Sequence, residues 1–185
     1  MDDHHPDAPG GPITIEQARA GDGAVLLAIH EDVARWLWDQ GIHQWKPGTY
    51  PPATFDDWIT RGQAYLARVE GEPAGMIVLQ DADEFMWPGA PGDALYVHAV
   101  RVLRRFAGRQ VGRQMLQWAA RQALAQSKAY LRLDVMANNL RIRAYYESAG
   151  FVHVRDLADK PWPASLYEQC VVAPDAQAGK RDTLG

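Results

Sequence analysis

The sequence has a single cysteine, no strong excess of either charge and no apolar run long enough to cross a membrane. Cys170 has no second thiol for an internal disulfide or a cysteine-rich zinc site, which suits a reducing cytoplasm. A net charge of −4 supplies no global positive field for nucleic acid or an anionic membrane. The longest apolar runs, such as 25–29 and 76–79, are too short for a bilayer. These absences favour a cytoplasmic protein with small-molecule or peptide substrates.

The sequence does contain enough apolar material for one packed domain. Hydrophobic residues make up 47% and charged residues 23% of its 185 residues, an ordinary globular composition. Residues 1–11 contain acids, histidines and prolines but no apolar segment of the kind that a signal peptide requires. We therefore expect a single domain over residues 12–173, with disordered tails at 1–11 and 174–185.

Hydrophobic periodicity predicts an alternation of strands and helices. Asp22 is expected to cap the first helix with its carboxylate, and Gly41 and Gly150 to end the first and last helices. The order of elements predicts a mixed sheet covered by helices, and a right-handed crossover makes strands 94–102 and 129–136 parallel neighbours. The predicted strands are 12–15, 64–69, 74–80, 94–102, 129–136, 151–155 and 165–172, and the predicted helices are 22–41, 55–61, 112–127 and 139–149.

A strand-to-helix turn at residues 107–112 has the features of a phosphate site. Its backbone N–H groups and the dipole of the following helix can hold a phosphate or pyrophosphate. The turn is neither a Walker loop nor a GxGxxG fingerprint, and Gly108 and Gly112 alone are more typical of a structural turn. Four basic residues crowd it and could add charge: Arg104, Arg105, Arg109 and Arg113.

Three cues in fixed order carry a family resemblance. They are the strand ending HAVRV, the turn AGRQVG with the helix RQMLQWAARQA, and the run NNLRIRAYYESAGF. In the last run, Asn139, Tyr146, Gly150 and Phe151 follow the pattern of an Asn, a Tyr seven residues on, and Gly-Phe four residues later. Residues 94–151 thereby resemble the cofactor-binding half of the GNAT superfamily of acyl-CoA N-acyltransferases. The turn departs from the family's Q/R-x-x-G-x-G/A at positions 107 and 110.

The resemblance implies a mixed α/β fold with a central, mostly antiparallel sheet of about seven strands. Its parallel central strands are expected to splay apart, and about four helices to flank the sheet. It also implies acetyl-CoA as cosubstrate, no metal, and compatibility with a homodimer. Main-chain groups of Val100 and Val102 would pair with the acetyl-pantetheine arm. By the same resemblance, N–H groups of the turn would bind the pyrophosphate, Asn139 would steady the arm, and Tyr146 would be the general acid. The cofactor-binding set is Val100, Val102, Ala107, Gly108, Arg109, Gln110, Val111, Gly112, Arg113 and Asn139.

The chemistry of acetyl transfer selects candidate catalytic residues. A tyrosine stays protonated at neutral pH and can donate a proton to a departing thiolate, which suits Tyr146. Without the family pattern, an aromatic residue at this position would be interpreted as part of the hydrophobic core. His98, on the central strand, has an intrinsic pKa suited to accepting the proton of an ammonium group. The alternative interpretation is that it is a hydrogen-bonded histidine of the core. Glu84 and Asp93 are alternative bases. We expect Tyr146 and His98 to be the catalytic pair.

The acceptor side is expected on the first helix and the loop after it, where aromatic residues concentrate. The acids Glu31 and Asp39 favour a cationic amine there. The predicted acceptor-binding residues are Trp36, His43, Trp45 and Tyr50.

The sequence thus predicts an N-acetyltransferase that moves an acetyl group from acetyl-CoA to a primary amine of a small molecule or peptide. The alternative is a non-catalytic acyl-CoA-binding or regulatory module. The departures at Ala107 and Gln110 favour that alternative, whereas the Asn139 and Tyr146 spacing favours the enzyme.

Overall fold

The computed structural model describes residues 12–172, so the predicted tails at 1–11 and 174–185 lie outside the described residues. Along the described chain, one strand is followed by two helices, three strands, a helix, a strand, a helix and two strands, and a short 3-10 turn (Arg104–Phe106) follows the fourth strand. The elements are β1 (Ile13–Gln17), α1 (Gly23–Asp39), α2 (Pro52–Thr60), β2 (Ala64–Val69), β3 (Glu72–Gln80), β4 (Ala94–Val102), α3 (Val111–Ala125), β5 (Tyr130–Met136), α4 (Leu140–Ser148), β6 (Val152–Leu157) and β7 (Ala164–Cys170). The seven strands and four helices confirm the predicted mixed α/β fold.

The described strands form an open, mostly antiparallel sheet in the order β1-β2-β3-β4-β5-β7-β6. β1 pairs with β2, β2 with β3, β5 with β7 and β6 with β7, all antiparallel. β4 and β5 are parallel neighbours, as the crossover rule predicts for strands joined through a helix.

The chain divides into two compact units. The first unit, Met1–Leu79 with Ala99–Met115, has a core in which α1 and α2 supply Leu26, Ile29 and Phe55. Strands β2 and β3 supply Leu66 and Met76 to the same core. The buried residues of α1 recur at spacings of three and four, which is the pattern of a helix with one apolar face.

The second unit is Gln80–His98 with Leu116–Gly185, and its described residues contain a separate core. Met86 and Trp87, from the loop before β4, pack there with Tyr96 and with Leu166 of β7. Arg132 of β5 is buried beside this core and donates to the carboxylates of Asp93 (3.0 Å) and Glu168 (3.2 Å). The buried guanidinium therefore has two acidic partners.

Local signals placed most element boundaries within a few residues. Gly41 (φ +74°) and Gly150 (φ +93°) follow α1 and α4 in the left-handed conformation that glycine adopts readily, which confirms their predicted role. The predicted cap at Asp22 is wrong in its partner. Asp22 is the N-cap residue of α1, but its carboxylate accepts from the N–H of Arg19 (2.7 Å), outside the helix. None of the four described helices has the length and apolar character of a membrane span.

Candidate active site

The turn before α3 is shaped by two residues in the left-handed backbone region. Gly108 has φ +78° and Gln110 has φ +59°. Glycine adopts this region without a steric cost, whereas other residues lose roughly 1 kcal/mol or more there. Gln110 occupies the position at which the family pattern has its middle glycine. The backbone thus has a conformation suited to glycine although the side chain departs from the pattern.

The N-terminus of α3 follows this turn directly. The main-chain oxygen of Gln110 accepts from the N–H of Gln114 (3.0 Å), so the first turn of the helix begins at Val111. N–H groups in a first turn have no acceptor within the helix, and the helix dipole gives them a partial positive charge. Val111 is 2% exposed and anchors this turn in the core. The N–H groups of Val111 and Gly112 therefore remain the predicted donors to a pyrophosphate.

Some of the arginines around this turn contact other side chains of the protein. The guanidinium of Arg104 lies 3.9 Å from the ring centroid of Trp36, and Arg105 pairs with Glu72 (3.1 Å). Arg109 lies over the ring of Phe106, at 5.3 Å from its centroid. Arg104 and Arg105 consequently have structural partners, and Arg109 remains a predicted contact of the cofactor.

Replacing Gly112 by proline is expected to weaken acetyl-CoA binding about 10- to 100-fold, because it removes one N–H donor from the predicted pyrophosphate site. Isothermal titration with acetyl-CoA measures this loss. The matched control is Gln110→Gly, which keeps the left-handed backbone and every donor and should bind as tightly as the parent. Equal affinity of Gly112→Pro and the parent would place the pyrophosphate elsewhere.

Strands β4 and β5 are paired over three residues only. Ala94 to Tyr96 lie beside Tyr130 to Arg132, whereas within the described chain the rest of β5, from Leu133 to Met136, pairs with β7. Ala99 has φ +53°, so the extended backbone of β4 is interrupted shortly after this pairing ends. Main-chain groups that a neighbouring strand leaves unpaired are available to an extended ligand. Val100 and Val102 follow Ala99, are half-buried, and remain predicted partners of the pantetheine arm.

Asn139 is the N-cap residue of α4. Its side-chain oxygen accepts from the N–H of Ile142 (3.1 Å) and so caps the helix. The oxygen is therefore engaged, and the amide NH₂ group is the part of the side chain that could contact the pantetheine arm.

Asn139→Asp is expected to separate the two roles of this residue. Aspartate caps a helix as well as asparagine, so the melting temperature should be kept, but the NH₂ donor is lost and acetyl-CoA should bind about 3- to 10-fold more weakly. Asn139→Ala should lose both properties, with about 1 kcal/mol of stability. Thermal unfolding and acetyl-CoA titration of the two variants check this. Unchanged affinity in Asn139→Asp would make Asn139 a cap alone.

Tyr146 lies on the buried face of α4. It is 8% exposed, and its ring centroid is 5.3 Å from that of Tyr145 and 5.6 Å from that of Phe151. Burial raises the pKa of Tyr146 well above its usual value, and the neighbouring Tyr145 and Asp134 raise it further. The hydroxyl is thus protonated at any physiological pH and can act as a proton donor.

A cluster of three titratable side chains lies in the same unit as Tyr146. Nε2 of His98, on β4, is 3.7 Å from Oδ2 of Asp83 and has no hydrogen-bond partner within the described chain. Asp83 is fixed by its other oxygen, which accepts from the N–H of Met86 (3.0 Å). Asp134 of β5 completes the cluster, with one ligand atom of each residue within 4.8 Å of the others. One nitrogen and two carboxylates could relay a proton, and they are also a donor set that could hold a cation.

The protonation states in this cluster follow from burial. Burial lowers the pKa of His98, and the negative charge of Asp83 offsets part of that effect. Burial, and then repulsion from Asp83, raises the pKa of Asp134 to about 6. At pH 7 His98 is therefore a neutral imidazole that can accept a proton, and Asp134 is close to its own titration.

Sequence reasoning missed Asp83 and Asp134. Asp134 carried a signal, because it lies between Leu133 and Val135 in a β-like run, where most of the residues are apolar. Asp83 carried none, because three acids lie close together at 81–84. The alternative bases have structural partners: Glu84 accepts from the N–H of Gly89 (3.2 Å), and Asp93 pairs with Arg132.

The structure divides the predicted acceptor residues into two groups. Trp45 and Tyr50 lie around the buried side chain of Arg101, with ring centroids 4.6 Å and 5.5 Å from its guanidinium carbon. His43 instead packs on Trp38, with their ring centroids 4.3 Å apart. Trp36, as described above, stacks on Arg104. Glu31 lies at this loop, where its carboxylate accepts from the N–H of Gly48 (2.9 Å), whereas the charged group beside the rings of Trp45 and Tyr50 is the guanidinium of Arg101.

Solved structures of other proteins share this fold. A GNAT-family acetyltransferase from Listeria monocytogenes 4b F2365 superposes with a TM-score of 0.72 at 24% identity, covering 88% of this chain and 98% of that chain. The yncA protein from Salmonella typhimurium, whose structure contains its cofactor acetyl-CoA, has a TM-score of 0.61 at 18% identity and covers 89% of this chain and 98% of that chain. At these identities the likeness establishes the fold.

The family follows from the sequence. The family model described as "Acetyltransferase (GNAT) family" matches residues 30–151. The N-acetyltransferase YesJ of Bacillus subtilis strain 168, itself uncharacterised, is 31% identical over 157 residues, which are 74% of this chain and 86% of that protein. The chain belongs to the GNAT family of acetyltransferases and is an enzyme of that class.

Proposed function

We propose that the protein transfers the acetyl group of acetyl-CoA to a primary amine of a small molecule or peptide by direct attack, with Tyr146 as general acid and His98 as general base. The observation that carries the proposal is that the buried, protonated Tyr146 and the neutral His98 lie in one compact unit, where Asp134 is close to His98 and raises the pKa of Tyr146. An acid and a base in the protonation states that acetyl transfer needs are thus available together at pH 7.

The residues at the N-terminus of α3 fit acetyl-CoA. The turn has the left-handed backbone at Gly108 and Gln110, and the first-turn N–H groups of Val111 and Gly112 suit a pyrophosphate. When bound, acetyl-CoA supplies the acetyl group and a thiolate leaving group. The proposed setting is the cytoplasm, whose reducing conditions suit a chain with Cys170 as its single cysteine.

In the proposed mechanism, Nε2 of His98 accepts a proton from the acceptor ammonium, either directly or through a water molecule. The neutral amine forms the new N–C bond as the C–S bond breaks. The Tyr146 hydroxyl donates its proton to the departing sulfur. The acetylated nitrogen loses its second proton, which restores the tyrosine through solvent, and His98 releases the ammonium proton to bulk water. Asp83 keeps His98 more basic than burial alone would allow, because its charge offsets part of the lowered pKa.

An amine panel tests this function against the non-catalytic alternative. Thiol release from acetyl-CoA is followed with amino acids, polyamines, aminoglycosides and peptides, and acetyl-CoA binding is titrated in parallel. We expect binding together with amine-dependent thiol release, in the presence of EDTA as well as without it. Binding with no release above the amine-free rate for every class would favour a regulatory acyl-CoA-binding module.

A further inference from the structure

Arg101 is a buried cation without an acidic partner in the described chain. Its side chain lies on β4 and is 3% exposed. Nη1 lies 3.8 Å from the thioether sulfur of Met76, the guanidinium also hydrogen-bonds with the neutral hydroxyl of Tyr50, and Nε has no hydrogen-bond partner among residues 12–172. The remaining contacts are with the aromatic rings of Trp45 and Tyr50. Arg132, the other buried arginine, has two carboxylates beside it.

This arrangement leaves the charge of Arg101 incompletely compensated. A buried charge is costly unless it is paired, and a cation over an aromatic ring recovers at most about 2 kcal/mol. Burial lowers the pKa of Arg101, but arginine starts from so high a value that the group keeps its proton at pH 7. The guanidinium therefore retains donors for which the described protein supplies no anion.

His30 of α1 adds a second polar group without a partner to the same cluster. It is fully buried, and neither ring nitrogen has a hydrogen-bond partner in the described part of the chain. Its ring centroid is 4.3 Å from that of Tyr50 and 5.3 Å from that of Trp45, the two rings that contact Arg101. Burial, followed by the charge of Arg101, lowers the pKa of His30 to about 4. The neutral imidazole can donate one N–H bond without adding charge.

From these contacts we propose that Arg101, His30 and Tyr50 bind the carboxylate of the acetyl acceptor, which makes the acceptor an amino acid or a similar small amino carboxylate. This inference rests on the proposed acetyl transfer and adds the class of substrate. One guanidinium, with neutral donors beside it, matches the single negative charge and planar shape of a carboxylate better than a phosphate dianion. The rings of Trp45 and Tyr50 beside Arg101 would contact the substrate side chain and contribute to specificity for it.

The test compares acceptors that differ only in the carboxyl group. The twenty common amino acids, their amides, the corresponding amines without a carboxyl group and the aminoalkylphosphonates are offered to the wild-type enzyme with saturating acetyl-CoA. At least one amino acid should exceed its amide and its decarboxylated amine by about 100-fold in kcat/KM. Amides or amines used as well as the acids would overturn the carboxylate site while acetyl transfer stands. A preference for phosphonates would overturn it as well.

Variants of Arg101 provide the second part of this experiment. Arg101→Met keeps an apolar side chain of similar length between Trp45 and Tyr50, and should remove the preference for the acid over the amide while the slow reaction with the amide continues. Arg101→Lys should restore part of the preference, because it keeps the charge but loses the bidentate geometry. An unchanged preference in Arg101→Met would contradict the inference. The wild-type panel decides the question even if a variant does not fold.

A panel in which nothing is acetylated would count against the proposed function itself. Isothermal titration of the same acids and amides into the acetyl-CoA complex then decides the carboxylate site separately. Binding of an acid in preference to its amide supports the site, and equal or absent binding overturns it.

Discussion

Tyr146→Phe is expected to lower turnover about 10²- to 10⁴-fold, which is the contribution of a positioned general acid. The substitution keeps the ring and its packing against Phe151 and removes only the hydroxyl. Melting temperature and acetyl-CoA affinity should therefore stay close to those of the parent. Stopped-flow or steady-state thiol release with a good acceptor measures the effect.

Tyr145→Phe is the matched control for this variant, because the neighbouring residue loses the same hydroxyl. Its turnover should fall much less. Full turnover in Tyr146→Phe, with the chemical step shown to be rate-limiting, would mean that water or another residue protonates the departing thiolate.

His98→Gln is expected to lower kcat/KM about 100-fold at pH 7, and the deficit should shrink as the pH approaches that at which the acceptor amine is neutral in solution. This dependence on pH is the signature of a base, because a free amine no longer needs its proton removed. A deficit that stays constant from pH 6 to pH 10 would assign His98 a packing role.

The loss of activity at acidic pH, in the same pH profile, tests the cluster formed by Asp83, His98 and Asp134. Burial lowers the pKa of His98, so the wild-type enzyme keeps its neutral base below the usual titration of histidine and loses activity only as the pH falls further. Asp83→Asn keeps an acceptor for the N–H of Met86 but removes the charge that raises the pKa of His98. The acidic limb of this variant should move to lower pH.

Local chemistry made much of the fold predictable from the sequence. Gly41 and Gly150 end helices, and the apolar run of β4 and the amphipathic face of α3 are each read from a few consecutive residues. Boundaries that depend on a partner were less accurate. β3 begins at Glu72, earlier than its apolar residues indicate, because Glu72 and Pro73 pair with Val69 and Arg68 of β2.

The catalytic candidates were predictable to the extent that a motif carries them. Tyr146 follows from its spacing to Asn139, and His98 from its place on β4. Asp83 and Arg101 could not be singled out in this way. Their importance depends on which charges burial brings together, namely Asp83 with His98, and Arg101 with Trp45 and no acid in the described chain. The amino-acid pattern of one segment does not contain that information.

The same limit applies to the acceptor. A loop rich in aromatic residues with acids nearby predicted a pocket for a cationic group, but Glu31 is engaged by the N–H of Gly48, and Arg101 supplies the charge beside Trp45. The positive charge beside these rings comes from Arg101 of β4, which lies about fifty positions further along the chain than the loop.

The most direct test of amine acetylation by this enzyme is mass spectrometry of a reaction with acetyl-CoA labelled with ¹³C in the acetyl group. We expect labelled acetyl-amine and free CoA in equal amounts with the wild-type enzyme, and both to fall together by at least 100-fold in Tyr146→Phe. Free CoA without labelled amine, or labelled amine formed equally fast by Tyr146→Phe, would contradict this mechanism.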